Sequence, residues 1–207
     1  MNSIQLQNVL SHFQKVDLKI YEAARTVDYS RWLSPKKQVQ SKHRYFEALS
    51  SQIISQQLSG KAAETIHARF VALFPDKKIS PEETLLLSDQ AMRDAGMSWS
   101  KASYVKNVAS SIVNSTIEWN RFSEMNDAEV VKELTKIKGL GAWSAEMFLM
   151  FTLGREDVFS YGDVGLKNGI KKIYSTEAPT IEQIKDITEK WMPYRTYGSI
   201  ALWKCLE

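Results

Sequence analysis

The sequence has 207 residues, of which 43% are apolar and 25% charged, a balance typical of a folded globular protein. Its single cysteine, Cys205, excludes an internal disulfide, a Cys-rich zinc site and an iron–sulfur cluster held by four cysteines. A net charge of +3 permits a nucleic-acid partner without indicating one. No apolar run approaches the ~20 residues that span a bilayer, and the N-terminus lacks the apolar core of a signal peptide. We therefore expect a cytoplasmic protein with no membrane partner.

Apolar residues recur at spacings of three and four along most of the chain, which is the period of a buried helical face. The five prolines, at positions 35, 75, 81, 179 and 193, fall between these segments. Three stretches have the residues that start helices, namely 80–83, 126–129 and 180–183. The sequence thus predicts an all-α protein of about nine or ten helices. Since no linker rich in Gly, Ser or Pro interrupts it, any two lobes are expected to pack tightly.

The most specific segment spans residues 134–147, where Gly139-Leu140-Gly141 separates two helical patterns. Such a turn exposes backbone N–H groups at the start of the second helix, and these donors bind anions such as a DNA phosphate. Lys136 and Lys138 would add attraction. The alternative is a plain corner between two helices, closed by a glycine cap.

This segment resembles the helix–hairpin–helix motif of the DNA glycosylase superfamily that bears its name. Asp163 follows after a short loop, where that family has its catalytic aspartate. Residues 53–66, with their Gln-Gln pair, and 191–203, with a Trp-x-Pro-x-Arg-x-Tyr pattern, resemble two further family motifs. The matching motifs run from about 44 to 204 in the family's order, and they are most similar to the 3-methyladenine DNA glycosylase II (alkylated-base) branch.

The resemblance implies an organisation as well as an activity. We expect two tightly packed helical lobes with the active-site cleft between them, in a single domain over residues 1–207. The helix–hairpin–helix would lie at about 134–147, and residues 1–40 would form a short helical extension. The implied partner is double-stranded DNA with a damaged base, and we expect a monomer.

The resemblance assigns the chemistry to Asp163. A carboxylate held close to the sugar stabilises the positive charge that develops as the glycosidic bond breaks, and it can also orient the attacking water as a general base. A second interpretation is that Asp163 simply caps the helix predicted at 164–174, and the two roles can coexist.

The resemblance also implies a DNA-binding surface and a wedge that fills the gap left by the flipped base. The DNA-binding candidates are Gln56, Gln57, Ser59, Lys61, Trp99, Lys101, Lys138, Gly139 and Gly141. Trp99 stands at the wedge position, with Met97 as a rival and burial of Trp99 in the core as the alternative. The alternative for the Gln pair is a helix end bonded to its own backbone.

The candidates for the pocket of the flipped base are Trp143, Met147, Tyr197 and Trp203. An aromatic face attracts a cationic alkylated purine by about 0.5–2 kcal/mol. Met147 stands where the family often has tyrosine, a departure that would change the shape of the pocket. The alternative for the tryptophans is a place in the core.

The resemblance further implies an enzyme with no lyase step and no required cofactor. Related enzymes that also nick the backbone use a lysine where this chain has Trp143, and no lysine lies between Gly139 and Arg155. The expected enzyme is therefore monofunctional and leaves an abasic site, in preference to an oxidised-base glycosylase/lyase. No cofactor is required. The hairpin could hold a Na⁺ or K⁺ ion through the backbone carbonyls of Thr135, Ile137 and Leu140. A non-catalytic module that binds damaged DNA is the alternative function.

Overall fold

The computed structural model describes residues 3–33 and 41–207, which divide into two compact helical units. One unit contains residues 41–148, and the other contains 3–33 together with 149–207. Because the described residues include no β-strand, the all-α prediction is confirmed. Residues 34–40, with Pro35 and the end of the predicted N-terminal extension, lie outside the described residues. Among the helices described, none has the length and apolar character needed to cross a membrane.

The unit of residues 41–148 contains seven α-helices, joined by short turns and two 3₁₀ turns. These helices are α3 (Lys42–Ser55), α4 (Gly60–Val71), α5 (Pro81–Leu86), α6 (Asp89–Asp94), α7 (Trp99–Val113), α8 (Asp127–Leu134) and α9 (Ala142–Phe148). The helix α7 packs against both α3 and α5. Aromatic rings fill the core: Tyr45 lies 5.2–6.3 Å, between ring centroids, from Trp119, Phe122 and Phe148. This core supports the helix–hairpin–helix segment that α8 and α9 form.

The second unit combines the start and the end of the chain. It contains α1 (Ser3–Val16), α2 (Leu18–Ala24), a π-helical turn at Leu149–Leu153, α10 (Val164–Tyr174), α11 (Ile181–Thr188) and α12 (Arg195–Lys204). The helix α12 packs against α10 and α2. Trp191 is fully buried here, and its indole N–H donates to Asp17 Oδ2 at 3.1 Å. The N-terminal helices therefore form part of the core around the last two motifs of the sequence.

The three predicted helix starts are confirmed by their capping hydrogen bonds. The Ser80 side chain accepts from the Glu83 amide, and both Asn126 and Thr180 form capping boxes with the residue three positions later. The described residues contain twelve α-helices rather than nine or ten. Additional cap residues explain the difference: Asp17 begins α2 one residue after α1 ends, and Ser88 begins α6 close behind α5.

The first hairpin helix, α8, ends at Leu134, whereas the apolar periodicity of the sequence predicts an end near Ile137. The Thr135 hydroxyl donates to the backbone carbonyls of Val131 and Lys132, and the Ile137 amide then bonds to Leu134 O, an i to i−3 pattern. The chain thus tightens into a turn where the apolar periodicity alone continues the helix.

Candidate active site

Asp163 is the N-cap of α10, as the second interpretation of the sequence predicts. Its backbone is extended, with φ −74° and ψ 124°, and its Oδ1 accepts a hydrogen bond of 2.7 Å from the Leu166 amide. The helix occupies Val164–Tyr174, as predicted. The cap fixes the carboxylate at the junction between the preceding loop and α10, and this position is compatible with a catalytic role.

A second donor also contacts this carboxylate oxygen. The indole N–H of Trp203, on α12, donates to Asp163 Oδ1 at 3.1 Å. Gly165 makes this approach possible, because a Cβ at that position would lie 3.0 Å from Asp163 Oδ1 and from Trp203 Cδ1 and Nε1. The sequence predicts Asp163 and Trp203 as site residues but does not identify Gly165, whose only signal is its place two residues after the aspartate.

The Trp203 ring is itself held by two other aromatic rings. Trp32 stacks on it with ring centroids 6.0 Å apart and planes 10° from parallel, and Phe151 lies 6.0 Å away. Both neighbours are half-buried. Trp32 belongs to the N-terminal extension, and no motif or spacing in the sequence connects it with residues so far along the chain. The structure therefore adds Trp32 and Phe151 to the surroundings of the candidate carboxylate.

Tyr197, a predicted pocket residue, occupies a core position instead. It is 2% exposed, and its hydroxyl donates to Glu156 Oε1 at 2.6 Å. Its ring packs edge-on against Tyr29, at 5.3 Å between centroids. Burial and the hydrogen bond to Glu156 raise the pKa of Tyr197 above its ordinary value. With so little exposed surface, Tyr197 offers no face to a flipped base in this structure, because its ring and its hydroxyl are both occupied by the fold.

The structure requires glycine at one of the two glycine positions of the hairpin turn and leaves the other unexplained. Gly139 has a φ of +108°, and a Cβ there would lie 2.6 Å from the Cβ of Tyr104, so both the backbone and the neighbouring ring require glycine. Gly141 has an ordinary φ and nothing within 4 Å of the position that its Cβ would take. The protein's own packing therefore explains Gly139 but not Gly141, which is exposed at the start of α9.

The Gln-Gln pair forms the turn that ends α3. Gln56 is its C-cap, and its side-chain amide donates to Ser144 Oγ at 3.4 Å, while Gln52 donates to Ser144 O at 3.1 Å. Gln57 is exposed and has a positive φ of +58°. Ser144 is buried at 3% and comes directly after Trp143. The sequence does not identify Ser144, whose small side chain carries no functional signal.

The structure distinguishes the two wedge candidates by their burial. Trp99 begins α7 and is 56% exposed, whereas Met97 is 1% exposed. The Arg93 guanidinium lies 5.2 Å above the Trp99 ring and donates to Met97 O at 2.6 Å. Core burial of Trp99, the alternative considered from the sequence, is therefore wrong. The exposed ring is supported from one side by a cation.

The remaining predicted residues differ in how far they are exposed. Ser59 is the N-cap of α4, but its hydroxyl makes no capping hydrogen bond, and Lys61 is exposed in the first turn. Lys138 is exposed, and its carbonyl accepts from Asn107. Trp143 is 40% exposed, and Met147 is buried at 7%. The two pocket candidates on α9 thus differ in access, because the Trp143 side chain is partly exposed to solvent and the Met147 side chain is buried.

Two observations bear on metals. Within residues 3–33 and 41–207, no group of three or more His, Cys, Asp or Glu side chains could hold a metal ion. The predicted cation site uses backbone carbonyls instead, and Ile137 O already accepts the Leu140 amide at 3.0 Å within the turn. A carbonyl oxygen has two lone pairs, so this hydrogen bond is compatible with a second contact from Ile137 O to a monovalent ion.

Comparisons with known proteins show which family this chain is similar to. Residues 50–194 match the family described as "HhH-GPD superfamily base excision DNA repair protein". The Schizosaccharomyces pombe protein "DNA-3-methyladenine glycosylase 1" is 32% identical over 82% of this chain and 75% of its own length. A crystal structure of a DNA-3-methyladenine glycosidase from Bacillus halodurans is 38% identical, with a TM-score of 0.70 over 78% of this chain and 75% of that chain. The structure of a Schizosaccharomyces pombe 3-methyladenine DNA glycosylase with abasic DNA has a TM-score of 0.82, covers 95% of each chain and is 28% identical.

Proposed function

The chain belongs to the HhH-GPD superfamily of base excision DNA repair proteins, and from this premise we propose that it is a DNA glycosylase that removes alkylated purines. Its substrates are of the 3-methyladenine and 7-methylguanine class, and its product is an abasic site. Asp163 carries this proposal, because the motif position of the catalytic aspartate has a carboxylate held by a helix N-terminus and by an indole N–H. The names of the relatives support the same substrate class.

The DNA-contacting steps fall to the unit of residues 41–148. The exposed residues at the start of α9 and the open position of Gly141 suit the close approach of a phosphate. Trp99, exposed at the start of α7, is the residue we propose to fill the gap that a flipped base leaves. Gln57, exposed in the turn that follows α3, is proposed to probe the duplex at that gap.

The chemical step falls to Asp163. An N-alkylated purine is cationic and leaves readily, so the main task is to stabilise positive charge on the sugar as the glycosidic bond breaks. The carboxylate does this best when its position is fixed in advance, and the Leu166 amide and the Trp203 indole fix it here. Trp143, which is 40% exposed, supplies an aromatic face that attracts a cationic purine more than a neutral one.

We further propose that the enzyme is monofunctional and has no lyase activity. A lyase needs an amine nucleophile that forms a Schiff base with the sugar. Trp143 stands at the motif position of that lysine, and residues 140–154 contain no lysine at all. The proposed chemistry therefore ends with hydrolysis and an intact DNA backbone.

Two finer points complete the proposal. We propose that a Na⁺ or K⁺ ion binds the hairpin through the carbonyls of Thr135, Ile137 and Leu140, since neutral oxygen ligands suit a hard monovalent cation. Exchange of K⁺ for tetramethylammonium, which is too large for such a site, should then weaken DNA binding. We also propose that the chain acts as a monomer, which light scattering in the presence of duplex DNA tests.

Base release from methylated duplex DNA tests the main proposal. The wild-type chain should release 3-methyladenine or 7-methylguanine. Asp163→Asn keeps an oxygen that can accept the Leu166 and Trp203 hydrogen bonds but loses the charge, so release should fall by about 10²–10³-fold while binding to abasic-analogue DNA persists. Normal release by Asp163→Asn would overturn the catalytic assignment. Absence of release from the wild type, with binding intact, would favour a damage-binding module.

A further inference from the structure

Lys101 is bonded to the protein's own backbone. Its ammonium nitrogen lies 2.7 Å from Ile54 O and 2.7 Å from Gln56 O. These carbonyls belong to the last turn of α3, where the helix dipole places partial negative charge. Burial lowers the pKa of Lys101. The predicted DNA-binding lysine therefore uses two of its three N–H donors in hydrogen bonds to one turn of the chain.

The turn that Lys101 holds has an unfavourable conformation. Gln56 has φ −53° and ψ 130°, Gln57 has φ +58°, and the Leu58 amide donates to Ser55 O at 3.2 Å. These are the features of a type II β-turn, whose third residue is normally glycine or asparagine. A glutamine at that position is strained. The turn therefore depends on contacts from neighbouring elements.

The same turn is also tied to the hairpin. Gln56 and Gln52 both donate to Ser144, the buried residue that follows Trp143 in α9. Lys101 approaches from the first turn of α7, two residues after the exposed Trp99. One short turn is thus connected to the start of α7 and to the second helix of the hairpin, the two elements that carry the wedge and the phosphate site of the proposed function.

We propose that Lys101 is a positioning residue that holds the Gln56–Gln57 turn in its strained form and fixes it relative to Trp99, and that it does not act by contacting a DNA phosphate. The inference rests on the proposed function for the role of Gln57 and Trp99. The hydrogen bonds that carry it are independent of that function. Its consequence is that Lys101 contributes to the recognition of a gap in the duplex and not to general affinity for DNA.

The first arm of the test examines the turn without DNA. Hydrogen exchange of the Leu58 amide, measured by NMR, is compared in the wild type, Lys101→Met and Lys61→Met. Lys101→Met keeps the aliphatic stem and removes the ammonium, so Leu58 should exchange at least tenfold faster. Lys61→Met removes an exposed charge close to the turn and should leave this exchange within twofold of wild type. Unchanged Leu58 exchange in Lys101→Met would overturn the proposal.

The second arm measures affinity at several salt concentrations, for an undamaged duplex and for one with a tetrahydrofuran abasic analogue. Lys101→Met should bind the abasic duplex about tenfold more weakly and the undamaged duplex within twofold of wild type, with an unchanged dependence of log Kd on log salt. Lys61→Met should reduce that slope by about one and weaken both duplexes alike. If Lys101→Met also reduced the salt slope and weakened both duplexes alike, Lys101 would contact a phosphate, and the proposal would be refuted.

A second variant covers the case in which Lys101→Met does not fold. Lys101→Gln keeps a neutral amide that can still donate to these carbonyls but loses the charge, so its Leu58 exchange should fall between those of the wild type and the methionine variant. A phosphate-contact role predicts instead that both variants lose the same salt slope, because both lose the charge. If the wild type shows no preference for the abasic duplex and releases no base, the proposed function fails, while the exchange rates still decide the role of Lys101.

Discussion

Substitution of Gly165 by alanine is expected to disable the candidate carboxylate without unfolding the chain. A Cβ at Gly165 would lie 3.0 Å from Asp163 Oδ1 and from two atoms of the Trp203 indole. Ordinary van der Waals contacts begin at 3.4 Å, so the indole or the carboxylate must move by roughly 0.4 Å. The hydrogen bond of 3.1 Å between them then lengthens to about 3.5 Å, the limit for such a bond.

The size of the effect follows from the bond that is lost. A hydrogen bond to a charged group contributes about 1.5–3 kcal/mol, and each 1.36 kcal/mol of barrier changes the rate about tenfold. The rate of base release should therefore fall by about 10–100-fold. Folding should change little, because alanine in place of glycine favours the helix by up to ~1 kcal/mol and offsets part of the lost contact.

Single-turnover release of 7-methylguanine, with enzyme in excess over methylated duplex, measures this effect on the chemical step. Gly162→Ala is the matched control, since it adds the same methyl one residue before Asp163 where nothing lies within 4 Å. Its rate should stay within about twofold of the wild-type rate. The reasoning is refuted if Gly165→Ala releases base as fast as the wild type, or if the control loses as much activity. Thermal melting of both variants separates loss of fold from loss of geometry.

Four further predictions concern the rest of the site and its chemistry. Gly139→Ala should destabilise the chain by about 3 kcal/mol, a fall in Tm of roughly 10 °C, because its φ is positive and Tyr104 occupies the space. Gly141→Ala should melt like the wild type but bind duplex DNA about tenfold more weakly, and equal Tm values for the two glycine variants would contradict the distinction. Trp99→Ala should reduce the single-turnover rate of base release by about 10–100-fold, with no fall in Tm because the ring is exposed; a large fall in Tm would place the ring in the core. Borohydride treatment during turnover should trap no covalent complex on a gel, and a trapped band would reinstate lyase chemistry.

Local patterns in the sequence were sufficient for the helices and for the family. The all-α class, the start of α10 at Val164 and the capping boxes at Asn126 and Thr180 depend on residues within a few positions of each other. The hairpin is similarly local: a short turn with glycine between two apolar helical faces specifies it. These features are predictable because capping and helical periodicity involve neighbours along the chain. The exact ends of helices were less predictable, as the early end of α8 at Leu134 shows.

Only the tertiary structure decided what each site residue contacts. It separated Tyr197, buried against Tyr29 and bonded to Glu156, from Trp203, bonded to Asp163, although both fit the same C-terminal motif. It also placed Trp32 against Trp203 across most of the chain length. Burial and side-chain hydrogen bonds between distant residues depend on how helices pack, which local sequence does not encode.

The same distinction applies to Lys101. By sequence it is a basic residue near a wedge, and such residues usually meet phosphate. In the fold its ammonium lies on the carbonyls of Ile54 and Gln56. The sequence by itself therefore determined which residues are available for the proposed repair chemistry. The packing of α3 against α7 determined which of these residues position others, because it brings the Lys101 ammonium within hydrogen-bond distance of two backbone carbonyls.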